Sequence, residues 1–175
     1  MYLCRHYGLE PEADYWEGVV RINEHQKERF VLTMLTTMFN TLAGKRICLF
    51  GFAFKADTGD TRETPALTVA SRLIEENARV VISDPQALDN AREDTRSIKG
   101  DIQFIEDPYA AANGCHAIAI MTEWDLYRTL DYAKIFDSML KPAFIFDGRN
   151  IADHDKLFEI GFNVFPIGKP KKVHF

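Results

Sequence analysis

Residues Lys45 to Pro65 read KRICLFGFAFKADTGDTRETP. Arg46–Phe50 is an apolar run of strand length, and Gly51 turns the chain into a polar loop. Thr64-Pro65 then supplies an N-cap and a first-turn proline for a helix reaching about Asn77. A strand that feeds a loop and then a capped helix is the first half of a βαβ unit. In an open α/β sheet the ligand sits at that carboxyl end of the strand. The loop carries two cations, Lys55 and Arg62, in a chain whose formal net charge is −5. Local cations in an acidic chain point to focused anion binding, and a phosphorylated small molecule is the natural ligand.

Downstream, the alternation continues. Strand candidates are Arg46–Phe50, Arg79–Ser83, Ile102–Ile105, Ala117–Met121, Phe144–Phe146 and Asn163–Pro166. Several are continuously apolar, as expected of parallel strands covered on both faces. Helix candidates lie between them: Asp107-Pro108 opens a short one, and Leu130–Leu140 and Asp153–Ile160 follow. Asp89–Gly100 is polar and charged and reads as an exposed connection. This pattern predicts an α/β fold, a Rossmann-like doubly wound parallel sheet of about six strands.

Upstream, Asp14 precedes a helical pattern running to about Leu42, ended by Ala43-Gly44. Such a helix either links domains and builds an oligomer interface, or packs on its own domain. Phe30, Met34, Leu35 and Met38 are expected to leave a sticky apolar face and to make the chain a homo-oligomer. The division expected is residues 1–43 as a linking and dimerisation segment and 44–175 as the nucleotide-binding domain.

Composition excludes several classes. The 175 residues hold 21 Lys+Arg against 26 Asp+Glu, which leaves no broad basic stripe for nucleic acid. No apolar run approaches the roughly 20 residues of a membrane span, and the start lacks the features of a signal peptide. The three cysteines, Cys4, Cys48 and Cys115, form no CxxC pair. An odd, unpaired set fits a reducing, cytoplasmic setting better than a disulfide framework or a zinc site. The five histidines show no metal spacing.

The candidate chemistry gathers at strand ends. Gly51, Ala53 and Ala56 stand where a dinucleotide fingerprint needs three glycines, so a standard NAD site on this half is disfavoured against a nucleotide-sugar site. Lys55 is a phosphate contact or a solvated lysine. Arg62 is an anion contact near a helix start or an internal partner of Asp57, Asp60 or Glu63. Asp84, before Pro85, either accepts ribose hydroxyls or shapes a turn. Trp124 covers a base or packs. Asp147-Gly148-Arg149-Asn150 ends the fifth strand, where glycine admits close backbone approach and a guanidinium fork suits a diphosphate, unless it pairs with an acid. Lys55 and Arg149, after strands one and five, can face one crevice.

The segments GFAFKADTGDTRE, TEWD and KPAFIFDGRN together resemble the C-terminal part of the UDP-glucose 6-dehydrogenases, and YLCRHYGL with Tyr15-Trp16 resembles their central helical link. The resemblance implies a Rossmann-like domain that binds the UDP part of UDP-glucose. It implies that Phe54, Lys55 and Arg149 hold the substrate and that Arg62 reaches toward NAD. Complete members oxidise UDP-glucose to UDP-glucuronate with two NAD. Their N-terminal NAD domain and catalytic cysteine segment have no counterpart in these residues, and Cys4 is not that nucleophile. The chain alone is therefore expected to bind UDP or UDP-glucose without catalysing. Rival readings are the same domain of a UDP-N-acetylhexosamine, UDP-galactose or GDP-mannose dehydrogenase, or a non-catalytic nucleotide-binding or assembly module.

Overall fold

The computed structural model describes residues 1–174. Two helices come first, α1 (Tyr2–His6) and the long α2 (Glu10–Thr37). The alternating part follows as β1 (Arg46–Phe50), α3 (Pro65–Glu75), β2 (Arg79–Ser83), α4 (Leu88–Asp94), β3 (Ile102–Phe104), α5 (Pro108–Ala112) and β4 (Ala117–Ile120). It ends with α6 (Asp125–Thr129), α7 (Tyr132–Ser138), β5 (Phe144–Asp147), α8 (His154–Ile160) and β6 (Asn163–Pro166). The strands form one parallel sheet in the order β3-β2-β1-β4-β5-β6, so the expected α/β doubly wound fold is the one observed. The chain leaves β1 in one direction and returns to β4 on its other side. That switch point opens a crevice at the carboxyl ends of β1 and β4.

Strand residues alternate between two cores. Cys48, Phe50, Val81, Ile118, Ile120, Ile145 and Val164 face one side, where Ala111, Tyr127, Ile135 and Leu157 of the helices cover them. Ile47, Leu49, Val80, Ile82, Ala119, Phe144 and Phe146 face the other, under Val31 and Met34 of α2, Met38 just after it, and Ala66, Val69, Ala70 and Leu73 of α3. Burying each large apolar side chain contributes roughly 1.5–3 kcal/mol. Parallel strands covered on both faces have no polar face to alternate with, hence their unbroken apolar runs.

Four expectations require correction. Helix α2 begins at Glu10, with Pro11 in its first turn, so Asp14 lies inside it and does not precede it. It stops at Thr37 because Phe39 and Asn40 take left-handed backbone angles (φ 67° and 56°), well before Ala43-Gly44. Met34 and Met38 are fully buried, and Phe30 and Leu35 pack half-buried against the same core, so they form no free apolar face. Exposed apolar residues of this region lie mostly on the first half of α2 and before it, Tyr15, Trp16, Val20 and Ile22 with Tyr2, Leu3 and Tyr7, while Leu32 and Phe39 are exposed farther along. The connection after β2 holds a helix, α4, which buries only Ala91. The segment after β4 is two helices: Leu130 separates them, and the Asp131 carboxylate caps α7 by accepting from Lys134 N–H.

Candidate functional site

The carboxyl end of β1 is pinned before any ligand is considered. Gly51 has φ +95°, and a Cβ there would lie 2.4 Å from Thr122 Cβ, so only glycine fits. The next two backbone N–H groups, of Phe52 and Ala53, donate to Asp84 Oδ2 at 2.7 and 3.0 Å. Trp124 Nε1 donates to that same oxygen at 3.1 Å, while Gln86 and Ala87 N–H donate to Oδ1 at 2.8 and 2.7 Å. Asp84 is buried and its carboxylate is saturated by five donors, so it shapes the turn and has no capacity for a ribose. Trp124 is buried too, and it packs. Thr122 Oγ1 donates to Ala53 O at 2.7 Å and ties β4 to the start of the loop.

Beyond that anchor the loop opens. Phe54 N–H donates to Asp60 O at 2.8 Å, closing a short lobe over residues 55–59 with Asp57 at φ 61°. Phe54 is 47% exposed and Lys55 is exposed with no ion-pair partner among the described residues. Arg62 folds onto Asp60, its Nε and Nη2 lying 3.1 and 2.6 Å from Asp60 Oδ2. That guanidinium, chiefly through its hydrogen bonds, lowers the Asp60 carboxyl to about 2, and Lys55 adds to the effect. Internal pairing of Arg62 is thus the arrangement observed, although its side chain stays largely in solvent.

The turn after β5 is built differently. Asp147 is fully buried and accepts from Arg149 N–H, Ala152 N–H and the His154 ring, at 3.0, 3.0 and 2.9 Å. Gly148 brings this turn against β4: a Cβ would sit 2.9 Å from Ile120 O and 3.5 Å from the Phe30 ring. The close approach that glycine permits is to the protein's own backbone. The Arg149 side chain then crosses the sheet edge. Its Nε donates to Met121 O at 2.7 Å, its Nη2 donates to Phe54 O at 3.2 Å, and Glu123 Oε2 lies 3.3 Å from Nε. The acid beside Arg149 is therefore Glu123, and Asp147 is occupied by the turn. Nη1 makes no hydrogen bond among the described residues, which leaves one edge of the guanidinium open.

Phe54 and Arg149 line one crevice of about 520 Å³, inside the usual range for small-molecule sites. Its walls are the sheet edge (Met121, Gly148), the start of α3 (Glu63, Pro65, Val69) and one face of α2 (Val20, Asn23, Glu24, Lys27, Phe30). Lys55 and Arg62 do not line it. Lys55 follows Phe54 directly at the rim, and Arg62 precedes the wall residue Glu63. Lys27 was not singled out from sequence. Its side chain is only 16% exposed and pairs with Glu24 at 2.7 Å. The available signal was polar residues at helical spacing, Asn23, Glu24 and Lys27, on the stripe that continues as Phe30, Val31 and Met34. Two of the histidines serve structure: His116 Nδ1 accepts from Arg46 N–H at the opposite end of the strands, and His154 holds Asp147. With Ala53 and Ala56 in fingerprint positions and Asp84 saturated, the residues of this switch point do not fit a dinucleotide bound in the usual way.

The profile of the "UDP-glucose/GDP-mannose dehydrogenase family, UDP binding domain" matches residues 48–154. UDP-glucose 6-dehydrogenase 4 of Oryza sativa subsp. japonica is 47% identical over 188 residues, covering 97% of this chain. UDP-glucose 6-dehydrogenase 1 of Arabidopsis thaliana is 45% identical over 189 residues with the same coverage. The chain spans 39% of the length of these curated relatives. Among solved structures, a UDP-glucose dehydrogenase from the hyperthermophilic archaeon Pyrobaculum islandicum superposes with a TM-score of 0.73 at 28% identity, over 94% of this chain and 34% of that one. Fold, motif positions and relatives agree: the chain belongs to the UDP-glucose/GDP-mannose dehydrogenase family, matching its UDP binding domain.

Proposed function

We propose that this chain is the nucleotide-sugar-holding part of an NAD-dependent UDP-glucose 6-dehydrogenase, and that the crevice between α2 and the sheet edge receives the UDP portion of UDP-glucose. The observation that carries this reading is Arg149, a guanidinium fixed by two backbone carbonyls at the crevice wall with one edge unpaired. A fork held in that way donates to a diphosphate without first being ordered. Lys55 adds a mobile positive charge at the rim, and the Phe54 ring positions the nucleotide. Arg62, nearly all in solvent, reaches a dinucleotide held elsewhere in the assembled enzyme. The chemistry supported here is binding and orientation, which convert a collision between substrate and oxidant into a positioned encounter.

Two parts of the chain do different work in this reading. Residues 44–175 supply Phe54, Lys55 and Arg149, and residues 1–43 link and assemble while α2 lends the crevice one wall. The exposed Tyr15, Trp16 and Ile22 on the first half of α2 support a contact with a second copy of the chain, tested by light scattering. Three free cysteines, two of them buried, support a reducing, cytoplasmic setting. Among the described residues no helix is long and apolar enough to cross a membrane.

Calorimetric titration with UDP, UDP-glucose and GDP tests the assignment. UDP and UDP-glucose should bind with similar affinity and GDP more weakly, and the chain alone should not reduce NAD in the presence of UDP-glucose. Equal binding of GDP would contradict the nucleotide assigned.

A further inference from the structure

A second pocket, of about 470 Å³, adjoins the Arg149 crevice, sharing Gln26, Phe30 and Ile167 with it, and lies between α2 and the segment after β6. Its floor is apolar, formed by Phe30, Phe146 and Phe165. Its rim carries Arg29 from α2 and Lys169 and Lys171 from the C-terminal segment, and no acid lines it. Arg29 reaches only Gln26, at 3.5 Å, and neither lysine forms an ion pair among the described residues. Their neighbour Lys172 differs: it is held by Asp155 at 2.5 Å.

The rim is built to stay in place. Lys172 and Val164 exchange backbone hydrogen bonds of 2.9 and 2.7 Å, which pin the far end of the segment to β6. Gly168 turns the chain at φ 68° and Pro170 restricts the backbone between the two lysines. Both lysines therefore line the same pocket, opposite Arg29. Three cations left unpaired over an aromatic floor, in a chain of net charge −5, create a local positive potential with an apolar base. An inorganic anion would satisfy the rim and leave the floor bare. A nucleotide satisfies both, with its phosphate on the cations and its base on the rings.

We infer that this pocket is a second anion site, distinct from the Arg149 crevice, for a phosphorylated ligand with a flat aromatic part, of the nucleoside monophosphate class. The test uses the full chain, labelled with ¹⁵N and titrated with uridine 5′-monophosphate and, separately, with inorganic phosphate. The expected result is saturable shifts of the Thr33, Gly168 and Lys171 amides with the nucleotide, at least about tenfold tighter than with phosphate. Lys169→Ala/Lys171→Ala should weaken that binding at least tenfold, and Arg149→Ala should leave it unchanged. The two sites are thereby separated, whichever of them fails. The inference is overturned if these amides do not shift, or if the double lysine variant binds as well as the wild type. It is equally overturned if phosphate binds as tightly as the nucleotide, or if a glutamate-rich peptide binds more tightly than either, which would make the pocket a plain anion or protein contact.

Discussion

The loop after β1 and the turn after β5 both carry cations to the same edge of the sheet, by opposite means. After β1 the backbone is rigid and the side chains are loose. Asp84 fixes Phe52 and Ala53, and two residues later Lys55 stands in solvent without an ion-pair partner. After β5 the backbone and side chain are both fixed: Asp147 holds the turn, and Arg149 itself bonds to Met121 and Phe54. Thus Arg149 reports across three strand ends, while Lys55 reports only on local charge. A preorganised donor contributes geometry as well as attraction. A mobile one contributes attraction that salt can screen.

The largest expected effect is at the anchor. Asp84→Ala strands five buried or half-buried donors and should cost at least about 3 kcal/mol in chemical denaturation, since each unsatisfied group costs roughly 1–3. A loss below about 1 kcal/mol would show that the loop holds itself. Next comes Arg149→Ala, which should weaken UDP binding by about a hundredfold at any salt concentration. Loss of a charged hydrogen bond costs roughly 1.5–3 kcal/mol, and about 1.4 kcal/mol is tenfold. Lys55→Ala should cost closer to tenfold at low salt, and raising the salt should shrink the difference. If both variants lose the same affinity with the same salt dependence, the contrast between fixed and mobile cations is wrong.

The smallest effect is Arg62→Ala. It should spare UDP binding and act on Asp60. The Asp60 carboxyl, held at about 2 by Arg62, should move back toward its ordinary value of 3.8 when followed by carbon-detected NMR. A carboxyl lowered in the folded state stabilises above its unfolded value and loses that contribution as pH falls toward 2. The variant should therefore lose a small stabilising term at neutral pH, and below about pH 2 it should match the wild type. Arg62 is largely in solvent and Asp60 partly so, and solvent screening should keep the effect on stability near the limit of measurement.

The sheet was legible in the sequence because parallel strands buried on two faces are unbroken apolar runs. All six were placed within a residue of their observed ends. Elements whose burial is thin were less legible. Helix α4 hides behind charged residues, since only Ala91 is buried and Leu88 packs partly exposed against the core. The end of α2 depends on Phe39 and Asn40 adopting left-handed angles. Asparagine tolerates that conformation, and nothing in a phenylalanine announces it. At the site, strand-end position was enough to place Arg149; Phe54 was named only through the family resemblance, and Lys55, expected to share the crevice, does not line it. The α2 wall was not readable, because it requires knowing that the long helix folds back across the sheet edge. For that reason Lys27 escaped notice, and the free apolar face was placed on the wrong half of the helix.

The most direct test of the central claim is calorimetric titration of UDP into the wild type and into Lys55→Ala/Arg149→Ala, with thermal melts of both. The account predicts at least a hundredfold weaker binding in a double variant that still melts cooperatively, at a somewhat lower temperature because the Arg149 bonds to Met121 O and Phe54 O are lost. Undiminished affinity for UDP in a folded double variant would contradict it and place the nucleotide elsewhere.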